Sequence, residues 1–314
     1  MPVPGLPKEE ASLSTLDVLG ELATYSLVTR TSKSPTFTVH RLVQDVTRRS
    51  LQKSAEIEAL TEALGWIDAA FVGDPQDVRT WVVLDPLAPH ARAVVTFADK
   101  AGLSEPTARL MSQLGTLFFS KALQKEAEPL MRRALAIDET SFGPDHPEVA
   151  TDLNNLASLL QATTRLDEAE PLMRRALAID ETSFGPDHPN IARDLNNLAS
   201  LLKATNRLGE AEPLMARVVT IFEKSLGESH PNVAVALSNL AWLLQATTRL
   251  GEAEPLMARA VEITRSSELG TGYEHPHWQI VSANYRSLLQ GMGKSDVEIE
   301  ATFAELGATI RKSK

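Results

Sequence analysis

Glu168–Pro189 reads EAEPLMRRALAIDETSFGPDHP, and the same letters stand at Glu126–Pro147. Edited copies begin at Glu210 and Glu252, so the four starts are each 42 residues apart. A fixed period of roughly 20 to 50 residues marks a solenoid, in which one supersecondary unit cannot bury its apolar face alone and stacks on its neighbours. Inside the quoted copy Ala169, Met173 and Ala176 fall at helical spacing, and just before it Leu153, Leu156, Ala157 and Leu160 do the same. Each unit is therefore predicted to be two helices, A then B, and the fold class to be all-α.

The same slots hold Met111, Leu114, Gly115, Phe118, Ala127 and Met131 in the first copy. They hold Leu195, Leu198, Ala199, Leu202, Ala211 and Met215 in the third, and Leu237, Leu240, Ala241, Leu244, Ala253 and Met257 in the fourth. A small residue is needed where helices A and B cross closely, because a large side chain would hold them apart. This pattern of large–x2–Leu–small–x2–large, then Ala–x3–large, resembles the tetratricopeptide repeat, whose usual period is about 34. The excess length falls in Thr-Ser-Phe-Gly-Pro-Asp-His-Pro after helix B. With LNNLA in helix A, EAEPLMRRALAI in helix B and a GxxHP linker, the 42-residue form is similar to the repeats of kinesin light chains and to those attached to many bacterial STAND proteins. The resemblance implies a right-handed α-solenoid of helix-turn-helix repeats over residues 104–293.

Upstream of the array, residues 1–11 carry three prolines and a glycine and read as a flexible leader. Residues 12–53 read as helix Ser12–Tyr25, two β-branched runs at Ser26–Thr29 and Thr36–Val39, and helix His40–Gln52. The phrase Phe37-Thr-Val-His40-Arg-Leu-Val-Gln44 resembles the winged-helix segment that follows the ATPase core in STAND-type (NB-ARC) signalling NTPases, which implies a small partial winged-helix element. No GxxxxGK[ST] phosphate loop occurs in this sequence. Residues 54–103 form an atypical helical linker unit: a helix Ala55–Phe71 broken at Asp74-Pro75, a short apolar piece Trp81–Leu84, and a helix Leu87–Lys100. Downstream, a fifth helix A at His277–Gln290 repeats the Asn slot at Asn284. Residues 294–314 open with the capping box Ser295-Asp-Val-Glu298 and form a helix that covers the last face.

A net charge of −10 and a pI near 5.3 argue against nucleic-acid binding, which depends on neutralising phosphates. Arg30, Lys33, Arg41, Arg48, Arg49 and Lys53 make the winged-helix segment locally basic, but the STAND resemblance implies an internal packing role for it. With no cysteine, disulfides, thiolate metal sites and Cys nucleophiles are excluded together. No apolar run reaches the roughly 18 residues of a membrane span, and MPVPGLPKEE lacks the apolar segment of a signal peptide. The expected compartment is cytoplasmic, with no membrane partner, and no cofactor is implied.

In the tetratricopeptide resemblance helix A lines a groove, and its slots pick out the candidate binding residues. They are Arg109, Ser112, Gln113, Thr116 and Phe119; Thr151, Asn154, Asn155, Ser158 and Gln161; Arg193, Asn196, Asn197, Ser200 and Lys203; and Val235, Ser238, Asn239, Trp242 and Gln245. An Asn side chain offers a donor and an acceptor, so a ladder at Asn155, Asn197, Asn239 and Asn284 can grip an extended peptide backbone once per repeat. One Asn of each pair Asn154/Asn155 and Asn196/Asn197 can instead bond the neighbouring helix. Arg193 and Lys203 can meet an acidic side chain or a terminal carboxylate. Trp242 and Phe119 are either anchors for a partner or packing against a neighbouring helix.

The repeated His146, His188, His230 and His275 sit one rung apart and cannot converge on one metal ion. They are read locally, with Pro147 in the first helical turn and Asp145 and Glu148 forming the cap. Pro129, Pro171, Pro213 and Pro255 are placed at the start of helix B, near Asp167 in the second copy, where a missing N–H costs nothing. Glu168, Glu170, Arg174 and Arg175 read as a solvated convex face. The expected function is non-enzymatic protein or peptide binding. The STAND resemblance adds a ligand-sensing, autoinhibitory role toward an NTPase core upstream. The alternatives are a free-standing scaffold or cargo-type adaptor, and an NTPase or other enzyme, disfavoured for want of a phosphate loop or a converging His/acid set.

Overall fold

A computed structural model describes residues 28–30, 37–39, 53–271 and 277–312. The chain divides into two compact units, Met1–Ile67 and Asp68–Lys314. In the first, β1 (Val28–Arg30) and β2 (Phe37–Val39) pair antiparallel with Val28 opposite Val39, as the two β-branched runs predict. The leader and the helices expected at Ser12–Tyr25 and His40–Gln52 lie outside the described residues.

Helix α1 (Lys53–Ala70) ends ahead of the Asp74-Pro75 break, and a 3₁₀ turn at Val78–Thr80 leads into α2 (Trp81–Lys100). The sequence reading split this second segment between Leu84 and Leu87. The structure keeps one helix with Pro86 and Pro89 inside it. Leu84, Ala88, Ala91, Val95 and Ala98 form one buried stripe, and its continuous burial outweighs the backbone bonds that the prolines remove.

The array consists of four A/B pairs. They are α3 (Thr107–Ser120) with α4 (Gln124–Phe142), α5 (Pro147–Ala162) with α6 (Leu166–Phe184), α7 (Pro189–Ala204) with α8 (Leu208–Leu226), and α9 (Pro231–Ala246) with α10 (Leu250–Thr271). A fifth A-type helix, α11 (Trp278–Gly291), and a closing helix, α12 (Asp296–Lys312), follow. Each A helix packs on its own B helix, and each B helix on the next A helix. Ala157, Ala199 and Ala241 are buried at the A/B crossings, as the small slot requires. At Gly115 a Cβ would meet Met131 Cγ at 2.8 Å, so the first pair crosses more tightly still.

The turns explain the period. After each A helix one residue takes a left-handed conformation: Ala122, Thr164, Asn206 and Thr248 all have φ near +60°. The Arg165 N–H then reaches back to Leu160 O at 2.9 Å, closing the six-to-one bond of a Schellman motif. After the first three B helices Gly143, Gly185 and Gly227 carry positive φ, which a side chain would strain. The histidine that follows caps the next A helix. His146 Nδ1 accepts from Glu148 N at 3.2 Å, His188 from Asn190 N at 3.2 Å and His230 from Asn232 N at 3.1 Å. The cap is thus the histidine itself, not Asp145, because the imidazole is held in place by stacking on Phe142 or Phe184. Pro147, Pro189 and Pro231 occupy the first helical position as expected.

Helix B begins one residue earlier than its prolines suggested, at Leu166, Leu208 and Leu250. Pro171 and its equivalents therefore lie in the second turn, and each forgoes one backbone bond. The face read as merely solvated carries an ion-pair ladder that spans repeats. Arg165 bonds Glu128 of the preceding helix B at 2.8 and 2.9 Å and Glu168 of its own at 2.7 Å. Arg207 repeats this with Glu170 and Glu210, and Arg249 with Glu212 and Glu252. At the far end Ser295 N donates to Glu298 Oε2 at 2.8 Å, completing the predicted capping box. Helix α12 packs on α10 and α11, with Phe303 edge-on to Tyr285 at 5.4 Å. Among the described residues no helix is long and apolar enough to cross a membrane.

Candidate functional site: polar clefts along the A helices

The paired asparagines of α5 and α7 have different fates, and a residue on a neighbouring helix decides which. Asn154 is only 4% exposed, and its Nδ2 donates to Asp194 Oδ1 on α7 at 2.8 Å. It ties two repeats together, which removes it from the candidate binding residues. Asn196, one period later, would face position 236, but that residue is Ala. Asn196 accordingly lines a small cleft of about 120 Å³ with Ser200, Lys203 and Asn239.

The second asparagine behaves likewise. Asn155 donates to Ser112 Oγ at 3.5 Å and Asn284 to Ser238 Oγ at 3.1 Å, each reaching a serine on the A helix before it. For Asn197 and Asn239 that neighbour is an Asn instead. Among the described residues neither side chain has a hydrogen-bond partner.

Lys203 lies 4.5 Å above the ring of Trp242, a cation–π contact, and Trp242 is 40% exposed. Trp242 also lines a cleft of about 270 Å³ with Gln245 and Asn284. Gln161 bridges to Ser200 Oγ at 3.4 Å. Phe119 is partly buried and packs against the apolar core. Arg109 is held by Asp68, donating to its carboxylate and to its backbone oxygen. Arg193 is also engaged internally, with Asp194 at 3.3 Å and Asp180 at 3.5 Å. A cleft of about 650 Å³ lies between α3 and α5 and is lined by Arg109, Ser112, Gln113, Thr151, Asp152 and Asn155, among others.

Four residues escaped the sequence reading: Asp138, Asp152, Asp180 and Asp194, all buried where a B helix meets the next A helix. The carboxyl of Asp138 lies beside that of Asp152, and that of Asp180 beside that of Asp194; Asp152 Oδ2, both oxygens of Asp180 and Asp194 Oδ2 are buried with no hydrogen-bond partner. Two buried carboxyls side by side do not readily ionise together, so each pair retains a proton near neutral pH. Burial pushes Asp152 up to about 7, and the nearby charges of Asp138 and Glu148 add to it. Asp138 is raised to about 6 by burial and by Glu148. Burial also raises Asp194 to about 7 against the pull of Arg193, and raises Asp180. The signal was present in the letters. The pair recurs once at the 42-residue period and becomes Phe222 and Ala236 at the next, an acid-to-apolar exchange that a solvated position does not need. Among the described residues no three His, Cys, Asp or Glu side chains cluster as metal ligands would; His275 lies outside them.

A family model for the tetratricopeptide repeat matches residues 106–182, 152–224 and 195–266, which together span more than half of the chain. A model for a domain of unknown function (DUF7779) matches residues 5–56. A nucleotide-binding leucine-rich repeat (NLR)-like protein of Hyaloscypha variabilis is 28% identical over 141 residues, 44% of this chain and 14% of that protein. The chain therefore spans about a seventh of the length of that relative. Among solved structures, kinesin light chain TPR-like repeats of Podosopora anserina superpose with a TM-score of 0.55 at 24% identity, covering 67% of this chain and 98% of that one. BtubC (BKLC) from P. vanneervenii gives a TM-score of 0.57 at 20% identity, covering 81% and 92%. At these identities the likeness is one of fold.

Proposed function

The chain belongs to the tetratricopeptide-repeat family, a family of protein-interaction modules, and we propose that its A-helix face grips an extended peptide segment of a partner protein. One observation carries this reading. Asn197 and Asn239 stand on successive rungs with no internal hydrogen bond, and Asn239 shares a cleft with Lys203, which lies over the ring of the half-exposed Trp242. A peptide backbone supplies a donor and an acceptor to each amide, and an aromatic ring beside them supplies apolar contact area. No part of this reading requires catalysis.

The wider proposal is that the array is the ligand-sensing, autoinhibitory arm of a STAND-type NTPase. In it the leader occupies 1–11, the partial winged helix 12–53, the linker unit 54–103, the array 104–293 and the cap 294–314. The similarity to an NLR-like protein supports it, as does the wing-like hairpin β1–β2.

The groove is tested by selecting peptides from a random library on the intact chain and measuring their affinity by fluorescence anisotropy. Asn197→Ala with Asn239→Ala removes hydrogen bonds worth about 1 kcal/mol each, so affinity falls about tenfold or more while helical circular dichroism and melting stay unchanged. Affinity within twofold of the parent defeats the asparagine ladder. For the wider proposal, the genomic reading frame ahead of residue 1 should encode a GxxxxGK[ST] loop. An unrelated neighbouring frame there defeats it.

A further inference from the structure

The two buried carboxyl pairs are copies of one device in different states. At Asp180/Asp194 the chain's own Arg193 reaches both carboxylates, at 3.5 and 3.3 Å. One period earlier the residue in the place of Arg193 is Thr151. There the pair Asp138/Asp152 is open to the cleft of about 650 Å³, which both aspartates help to line. Asp152 is 3% exposed; its Oδ1 accepts from Ser112 Oγ at 2.6 Å, and its Oδ2 has no hydrogen-bond partner. Glu105 and Glu148 stand on the same cleft and add negative charge. Of the basic groups there, Arg109 is held by Asp68, and the His146 Nδ1 is occupied in capping α5.

We infer that the cleft over Asp138 and Asp152 receives a cationic side chain, arginine or lysine, of the bound peptide, in the way that the equivalent pair holds Arg193. The inference rests on the peptide-groove reading and adds a charge preference to it. A guanidinium presents a planar fork of donors that matches two neighbouring carboxylate oxygens, and its charge substitutes for the retained proton. Binding therefore releases that proton. Because burial raises Asp152 to about 7, cationic peptides bind more weakly as the pH falls from 8 to 6. Each rung of the face then reads something different: a cation at the first, an internally plugged pair at the second, and Phe222 and Ala236 at the third.

The test uses peptides selected from a random library on the full chain, each remade with citrulline for arginine or acetyl-lysine for lysine. Arginine and lysine should be enriched among the selected sequences. Neutralisation should cost at least tenfold in affinity on the parent protein, and the penalty should shrink toward pH 6. Thr151→Arg grafts the internal plug onto the open pair and should abolish the penalty, as should Asp152→Asn. Thr151 is a partly exposed position, so this variant keeps the test decisive if Asp152→Asn fails to fold. Selected peptides without a cation, a penalty under twofold, or a penalty that survives Thr151→Arg overturns the inference while leaving the groove reading intact. A library that yields no binder overturns both.

Discussion

Replacing Asp180 with Asn should flatten the pH dependence of stability, and the size of the effect follows from the carboxyl pair. In the folded chain Asp194 keeps its proton up to about 7, chiefly because it is buried, whereas the unfolded chain releases it near 3.8. Between those values the native state binds more protons than the unfolded state. Stability is therefore fully present below the unfolded value and is lost as pH rises through about 7. One pH unit corresponds to about 1.36 kcal/mol per proton, so the pair forfeits about 2–3 kcal/mol between pH 5 and pH 8. In Asp180→Asn the charge of Asp180 is gone and the new amide donates to Asp194, so the variant is spared the part of that loss that Asp180 causes, while the part due to burial remains. For a domain of this size 1 kcal/mol moves the melting midpoint by roughly 2–4 °C, so the parent should fall further than the variant by a few degrees, with about 5–10 °C as the upper bound. The assay is thermal melting by circular dichroism at pH 5, 6, 7 and 8, at constant ionic strength. Every other titrating group is common to both proteins, so its contribution cancels in the difference. The pair Asp138/Asp152 also remains in both. Melting curves that shift in parallel across this range would refute Asp180 as a cause of the retained proton.

Two further variants probe the scaffold. His188→Ala removes the Nδ1 acceptor for Asn190 N and the stacking on Phe184, at a cost of about 1–2 kcal/mol in urea titration; His188→Asn restores an acceptor and should recover part of it. Ala157→Leu forces a large side chain into the closed crossing of α5 and α6 and should cost about 3 kcal/mol. Full stability in the Leu variant would mean the helices do not cross closely there.

The letters determined the repeat, its two helices, the small residue at each crossing, the Pro at the start of each A helix and the Ser295–Glu298 box. All of these rest on contacts within about 40 residues of chain, which recur at a fixed period and so announce themselves. The sequence also named the helix-A slots, but it assigned them alike in every repeat. Stacking decided between them. Asn154 is buried because Asp194 stands on the next helix, and Asn196 lies open because Ala236 stands there instead. Arg193, read as a handle for a partner, is spent on two carboxylates of its own chain. The four buried aspartates drew no reading from the sequence, because their burial arises only where the B helix of one repeat closes on the A helix of the next. A side chain's periodicity fixes which face of its helix it occupies. Whether that face is wet, and which group meets it, depends on the neighbour that the stack brings up against it, and this cross-repeat pairing is what gives chemically similar letters different work.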